Sequence, residues 1–155
     1  MKLRVYIDSS VVGGYFDDEF ENDTKLFFNR IFNKDFLIHF SEVSEAELSL
    51  APDFVKELKS KIPADCYKHL DLDSDSKELA ETYIQEKILG KSSLNDAYYI
   101  AIATVNRLDV LVSWNFKHIV NFDKIKQFNS INLRLGYPMI EIRSPKEFVI
   151  NENND

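Results

Sequence analysis

The 155-residue chain has one cysteine, Cys66. That excludes an internal disulfide and every metal motif built on paired thiols. It accords with a reducing compartment, and a cytoplasmic location is the expectation. No apolar run approaches the ~20 residues of a membrane helix. The two basic residues near the start precede no long apolar stretch, so no signal peptide is expected. A surplus of positive charge is also missing: the net charge is -7. A nonspecific nucleic-acid binder shows a basic face, so any such contact here must use a local patch or a bound cation. Several enzyme signatures are absent too. No GxGxxG follows the first strand, no GxxxxGK[ST] or GxSxG occurs, and Asp8-Ser9-Ser10 stands where a dehalogenase-type phosphatase would need Asp-x-Asp.

What is present is a regular alternation of strands and helices. Leu3, Val5 and Ile7 alternate with Arg4 and Tyr6, which predicts a buried strand ending on a carboxylate, Asp8. Helical spacing follows in Val11, Val12, Tyr15 and Phe16, where Gly13-Gly14 weakens the helix or admits another backbone closely. A helix is predicted over 21–32, with Leu26, Phe27, Ile31 and Phe32 on its apolar face. A strand follows over 36–40, then Ser41 as N-cap of a helix over 42–50. Pro52 opens another helix, which stops before Pro63. Residues 65–72 read either as irregular or as a short strand. Later come a helix from about Lys77 to Leu89 with Gly90 at C′, a very apolar helix after Asn95, and a strand over 109–113. A helix over 122–128 and a strand over 139–142 complete the series. Strands separated by helices predict an α/β three-layer sandwich with a central, mainly parallel sheet of four to five strands. Residues 1–148 read as one domain, and 149–155 as a frayed polar tail.

Four polar positions stand out. Asp8 ends a buried strand, where an unpaired charge is costly. In the helix over 42–50, Val43, Ala46 and Leu50 mark an inward stripe that Glu47 shares, although a rim residue reaching water fits the same phase. Asp96 opens the apolar helix; Ser93-x-x-Asp96 also reads as a capping box. Asn115 leaves the strand over 109–113. Three carboxylates converging to ~5 Å would repel by roughly 3 kcal/mol per pair at an effective dielectric of about 20, which calls for protons or a divalent cation. Oxygen donors without Cys or HxxxH point to Mg2+ or Mn2+ rather than zinc. Trp114 and His118 read as a packed indole and a hydrogen-bonded imidazole.

In four blocks the chain resembles PIN-domain proteins, including VapC-type toxins of toxin–antitoxin pairs. The blocks are Val5–Ser10, Ser41–Leu48 followed by Pro52, Asn95–Ala103 and Leu111–Asn121. The resemblance implies a PIN-like fold and a metal-dependent ribonuclease. Asp8, Glu47 and Asp96 would be its catalytic acids and its Mg2+ or Mn2+ ligands, with Ser10 in support. It also implies an RNA substrate, a cognate antitoxin protein and a homodimer. Many PIN nucleases carry a fourth acid where this chain has Asn115, which can ligate through its carbonyl oxygen but brings no charge. A weak or inactive PIN-like module that binds RNA or a partner protein is the alternative, and a Mg2+-dependent phosphatase is a third reading.

Overall fold

The first strand sets the layers. In the computed structural model, which describes residues 1–150, strand β1 (Leu3–Ile7) sends Val5 and Ile7 to one face and Tyr6 to the other. All three are fully buried, because β1 is the middle strand. The other strands are β2 (Phe36–Ser41), β3 (Tyr67–Leu70), β4 (Val110–Val112) and β5 (Ile142–Arg143). They form one five-stranded sheet in the order β3-β2-β1-β4-β5, and every pairing is parallel. The predicted α/β sandwich is therefore present, with the larger number of strands.

Helices cover both faces. On one side lie α1 (Ser9–Gly14), α2 (Glu21–Phe32), α3 (Glu42–Ser49) and α4 (Asp53–Ser60), packed through Val12, Phe27, Phe28, Ile31 and Leu58. On the other lie α5 (Ser74–Gln85), α6 (Leu94–Val105) and α7 (Phe122–Arg134). The last helix is α8 (Lys146–Ile150). The expected tail from 149 therefore begins inside a helix, where Val149 is buried; residues 151–155 lie outside the described residues. No helix among the described residues is long and apolar enough to cross a membrane.

Several boundaries differ from the sequence reading. Residues 67–70 are a strand at the sheet edge, following a short 3-10 turn over 64–66. Helix α5 stops at Gln85, because Lys87 adopts φ 63 and breaks the spiral before Gly90 is reached. Leu26, assigned to the buried face of α2, is half exposed, and Thr24 takes the inward place. Helix α7 runs six residues past the expected end at Phe128, to Arg134. The polar Asn129 and Asn132 fall in this extension, and both are buried inside the helix.

Those two asparagines complete buried backbone and side-chain bonding. Asn129 Oδ1 accepts from the Ile140 N–H at 2.8 Å and its Nδ2 donates to the Ile140 carbonyl at 3.2 Å, so the side chain pairs with the segment entering β5 as a strand would. Asn132 accepts from the Tyr83 hydroxyl and donates to Thr104 Oγ1 at 3.2 Å, joining α5, α6 and α7. Asn132→Ala is expected to lower stability by about 3 kcal/mol, through the cavity and the orphaned Tyr83 hydroxyl. Tyr83→Phe combined with Asn132→Leu should recover most of that loss in urea unfolding. Equal loss in the double variant would show that the network, and not the orphan, sets the cost.

Candidate active site

The strand order reverses at β1, between β2 and β4, and a crevice opens beyond the carboxyl ends of the strands at such a point. Asp8 follows β1 there. It stands at the N-cap position of α1, but its side chain caps nothing and is free for other partners. The Ser10 hydroxyl donates to Asp8 Oδ1 at 2.5 Å, and the Ser113 hydroxyl donates to Oδ2 at 2.6 Å. Both hydroxyls are themselves fixed. Ser10 Oγ accepts from the Trp114 N–H at 2.9 Å, and Ser113 Oγ accepts from the Asn115 N–H at 2.9 Å. The two chain segments at the switch point are thus bonded to each other through one carboxylate.

Glu47 arrives on α3 half buried. Its Oε1 accepts from the Ser9 hydroxyl at 3.0 Å and from the Tyr99 hydroxyl. The inward phase expected for Glu47 is present, but the stripe that argued for it is not. Ala46 and Leu50 are exposed, and the buried companions are Val43, Ser44 and Leu48. The start of α3 is as read: Ser41 accepts from the Ser44 N–H and Ser44 returns a bond to the Ser41 N–H.

Asp96 sits in the first turn of α6, yet the capping box is not formed, since Ser93 makes no side-chain cap bond. Asp96 Oδ1 instead accepts from Asn115 Nδ2 at 3.2 Å. The Asn115 carbonyl oxygen accepts from the His118 N–H at 2.9 Å, closing its own turn. Asn115 therefore meets the acids with its donor end, which eases the charge on Asp96 without adding another. The Trp114 reading holds: the indole is buried, stacks on Phe20 at 4.3 Å and donates to Thr24 Oγ1 at 2.9 Å. His118 differs, because its buried Nδ1 has no hydrogen-bond partner among the described residues.

The electrostatics tie the acids together. Burial lifts Asp8 to about 6; the Ser10 and Ser113 hydrogen bonds oppose the rise, and the Glu47 charge adds to it. Asp96 is also raised, first by burial; His118 pulls the other way and Glu47 pushes it further up. The Tyr99 hydroxyl is pushed far up by burial and by the charges of Asp8 and Glu47, so it remains a donor. No Lys or Arg among the described residues forms a salt bridge with Asp8, Glu47 or Asp96. An uncompensated set of carboxylates with hydroxyl neighbours is a hard-oxygen donor set that suits Mg2+ or Mn2+. Among the described residues, however, no three His, Cys, Asp or Glu side chains are grouped to hold a metal ion. The arrangement fits the mode in which one or two carboxylates bind the ion and water fills the rest.

The sequence reading named Asp8, Glu47, Asp96, Asn115 and Ser10; the structure adds Ser9, Tyr99 and Ser113, whose hydroxyls bond to Glu47 and Asp8. Tyr99 carried a signal. It lies three residues after Asp96 on an apolar helix, so the two share a face, and a buried tyrosine hydroxyl needs a partner.

No family model matches the chain, and no curated protein matches it in sequence. Solved structures do match. VapBC from Salmonella typhimurium, bound to DNA, is 17% identical and aligns over 92% of this chain and 98% of its own, with a TM-score of 0.57. VapBC2 from Rickettsia felis, bound to a fragment of its promoter, is 15% identical over 92% and 98%, with a TM-score of 0.56. VapC20 from Mycobacterium tuberculosis, a toxin that cleaves the sarcin–ricin loop, is 12% identical over 88% and 98%, with a TM-score of 0.56. The chain has the PIN-like fold of these VapC-type proteins.

Proposed function

We propose that the chain is a Mg2+- or Mn2+-dependent endoribonuclease acting in the cytoplasm as the toxin of a toxin–antitoxin pair. The observation that carries this reading is the set of Asp8, Glu47 and Asp96 at the switch point, coupled through the Glu47 charge and without a Lys or Arg ion pair among the described residues. One or two of Asp8, Glu47 and Asp96 would bind the ion directly and the remainder would reach it through water, with Asn115 beside it and Ser10 keeping Asp8 in place. When bound, the ion would supply an activated water and neutralise charge developing on an RNA phosphodiester. The side chains of this chain do the rest. Ser10 and Ser113 hold both Asp8 oxygens, Ser9 and Tyr99 orient Glu47, and Asn115 keeps Asp96 from turning away. A protein antitoxin and a homodimer belong to the same reading, by analogy with the toxin–antitoxin assemblies that share the fold.

Purified protein is expected to cleave RNA with Mn2+ or Mg2+ and to be silent in EDTA, and Asp96→Asn should abolish the cleavage. Trace activity that is equal in wild type and variant would assign the cleavage to a contaminant. Asn115, which supplies an amide in place of a fourth carboxylate, favours a second reading: a module that binds RNA or a partner protein without cutting. Calorimetric titration that shows no Mn2+ binding at millimolar concentration would decide for it.

A further inference from the structure

Phe116 lies next to Asn115, half exposed, on the turn that follows β4. Its neighbour Trp114 is buried, with the stack on Phe20 and the bond to Thr24 already described. The turn closes through Asn115, whose backbone carbonyl accepts the N–H groups of Ile119 and Val120 at 3.1 and 2.8 Å. The Phe116 ring meets Trp114 edge-on at 6.0 Å and Phe20 at 6.3 Å, so the aromatic cluster braces it while about half of its surface stays in water. Aromatic surface on a fixed mount beside a phosphodiester site is what an unpaired nucleobase stacks on.

The two chain segments next to Asp96 and Asn115 are basic, although Phe20 itself stands between Glu19 and Glu21. Residues 87–95 and 113–122 flank Asp96 and Asn115 and carry Lys87, Lys91 and Lys117 with no Asp or Glu, in a chain whose net charge is -7. All three lysines are exposed, and none forms an ion pair among the described residues. Lys124, two residues beyond the second segment, donates from Nζ to the Ile88 carbonyl in the first at 2.9 Å. Exposed ammonium groups on the segments that carry a stacking ring and lead into Asp96 suit the phosphates of a single strand.

We infer that Phe116 stacks a base of single-stranded RNA beside the scissile phosphate, with Lys91 and Lys117 on the flanking phosphates; this rests on the ribonuclease reading. The test uses a mixed-sequence RNA 12-mer carrying 2-aminopurine, bound to full-length Asp8→Asn protein with and without Phe116→Ala, alongside kinetics on the Asp8 background. Phe116→Ala should weaken binding and raise KM about ten-fold, with kcat nearly unchanged, and should abolish the 2-aminopurine quench. Phe116→Trp should restore all three, and Phe116→Leu none. An abasic nucleotide at the quenched position should make the RNA indifferent to Phe116→Ala. If wild type cuts RNA and the Ala, Leu and Trp variants match it in KM and binding, the stacking role is overturned and the ribonuclease stands. If wild type neither binds nor cuts single-stranded RNA, both fall.

Discussion

Asp8→Asn is expected to stop RNA cleavage while making the metal-free protein harder to unfold at pH 8. On the proposed reading Asp8 binds the ion, and removing it would forfeit several kcal/mol of transition-state stabilisation, on the order of 10³-fold in rate. The stability gain comes from the same group. Burial raises Asp8 from 3.8 to about 6 in the folded state. An acid whose folded value is raised binds its proton more tightly when folded. Its stabilising contribution is complete below 3.8 and is lost as the pH climbs through about 6. Above that, the ionised carboxylate costs on the order of 3 kcal/mol. Asparagine escapes that cost. It has one acceptor oxygen for two serine hydroxyls, so one hydroxyl must turn away at about 1 kcal/mol. The variant should therefore melt a few degrees above wild type in EDTA at pH 8, with the advantage gone by about pH 4. Saturating Mn2+ should reverse the order, because only wild type gains the binding energy. A variant that melts below wild type in EDTA at pH 8 would mean that the carboxylate itself is structural.

That exchange of stability for a charged crevice also explains how much of the site could be read from the chain. Asp8 was legible because a strand as apolar as β1 has no structural use for a carboxylate at its end. Glu47 was found for an incorrect reason. An eight-residue helix samples so few turns that the stripe Val43–Ala46–Leu50 and the stripe Val43–Glu47 fit equally well, and tertiary packing chose the second. Asp96 had an adequate local explanation as a cap; its partner Asn115 lies nineteen residues away, beyond any helical spacing. Ser113 bonds to Asp8 across 105 positions, so only the parallel pairing of β1 with β4 brings them together. The fold was more legible than the site because strand and helix periods repeat within a few residues, whereas a hydroxyl gives no sign of its partner. Helix ends were least legible, as at Lys87, where a positive φ on a non-glycine residue stops α5.

Gly14→Ala is expected to cost about 2–4 kcal/mol, whereas Gly13→Ala, one residue earlier in the same helix, should be neutral or stabilise by about 0.5–1 kcal/mol. A methyl on Gly13 meets nothing within 4 Å among the described residues. On Gly14 it would stand 2.7 Å from Trp114 Nε1, 2.8 Å from Cδ1 and 3.0 Å from Thr24 Oγ1. The sequence had left open a close approach of another backbone at this pair; the close neighbour is a side chain. The indole cannot yield cheaply, since moving it breaks the Trp114–Thr24 bond and the stack on Phe20. Through them the effect reaches the acids. The Trp114 N–H fixes Ser10, which holds Asp8, and the next residue, Asn115, holds Asp96. Gly14→Ala should thus lower the melting temperature by roughly 10 °C and, at temperatures where it stays folded, lower kcat by about ten-fold. Circular dichroism melts and cleavage kinetics on both variants check this. Matching behaviour of Gly13→Ala and Gly14→Ala would show that the indole tolerates displacement and that the loop bearing Asn115 is positioned by something other than its packing.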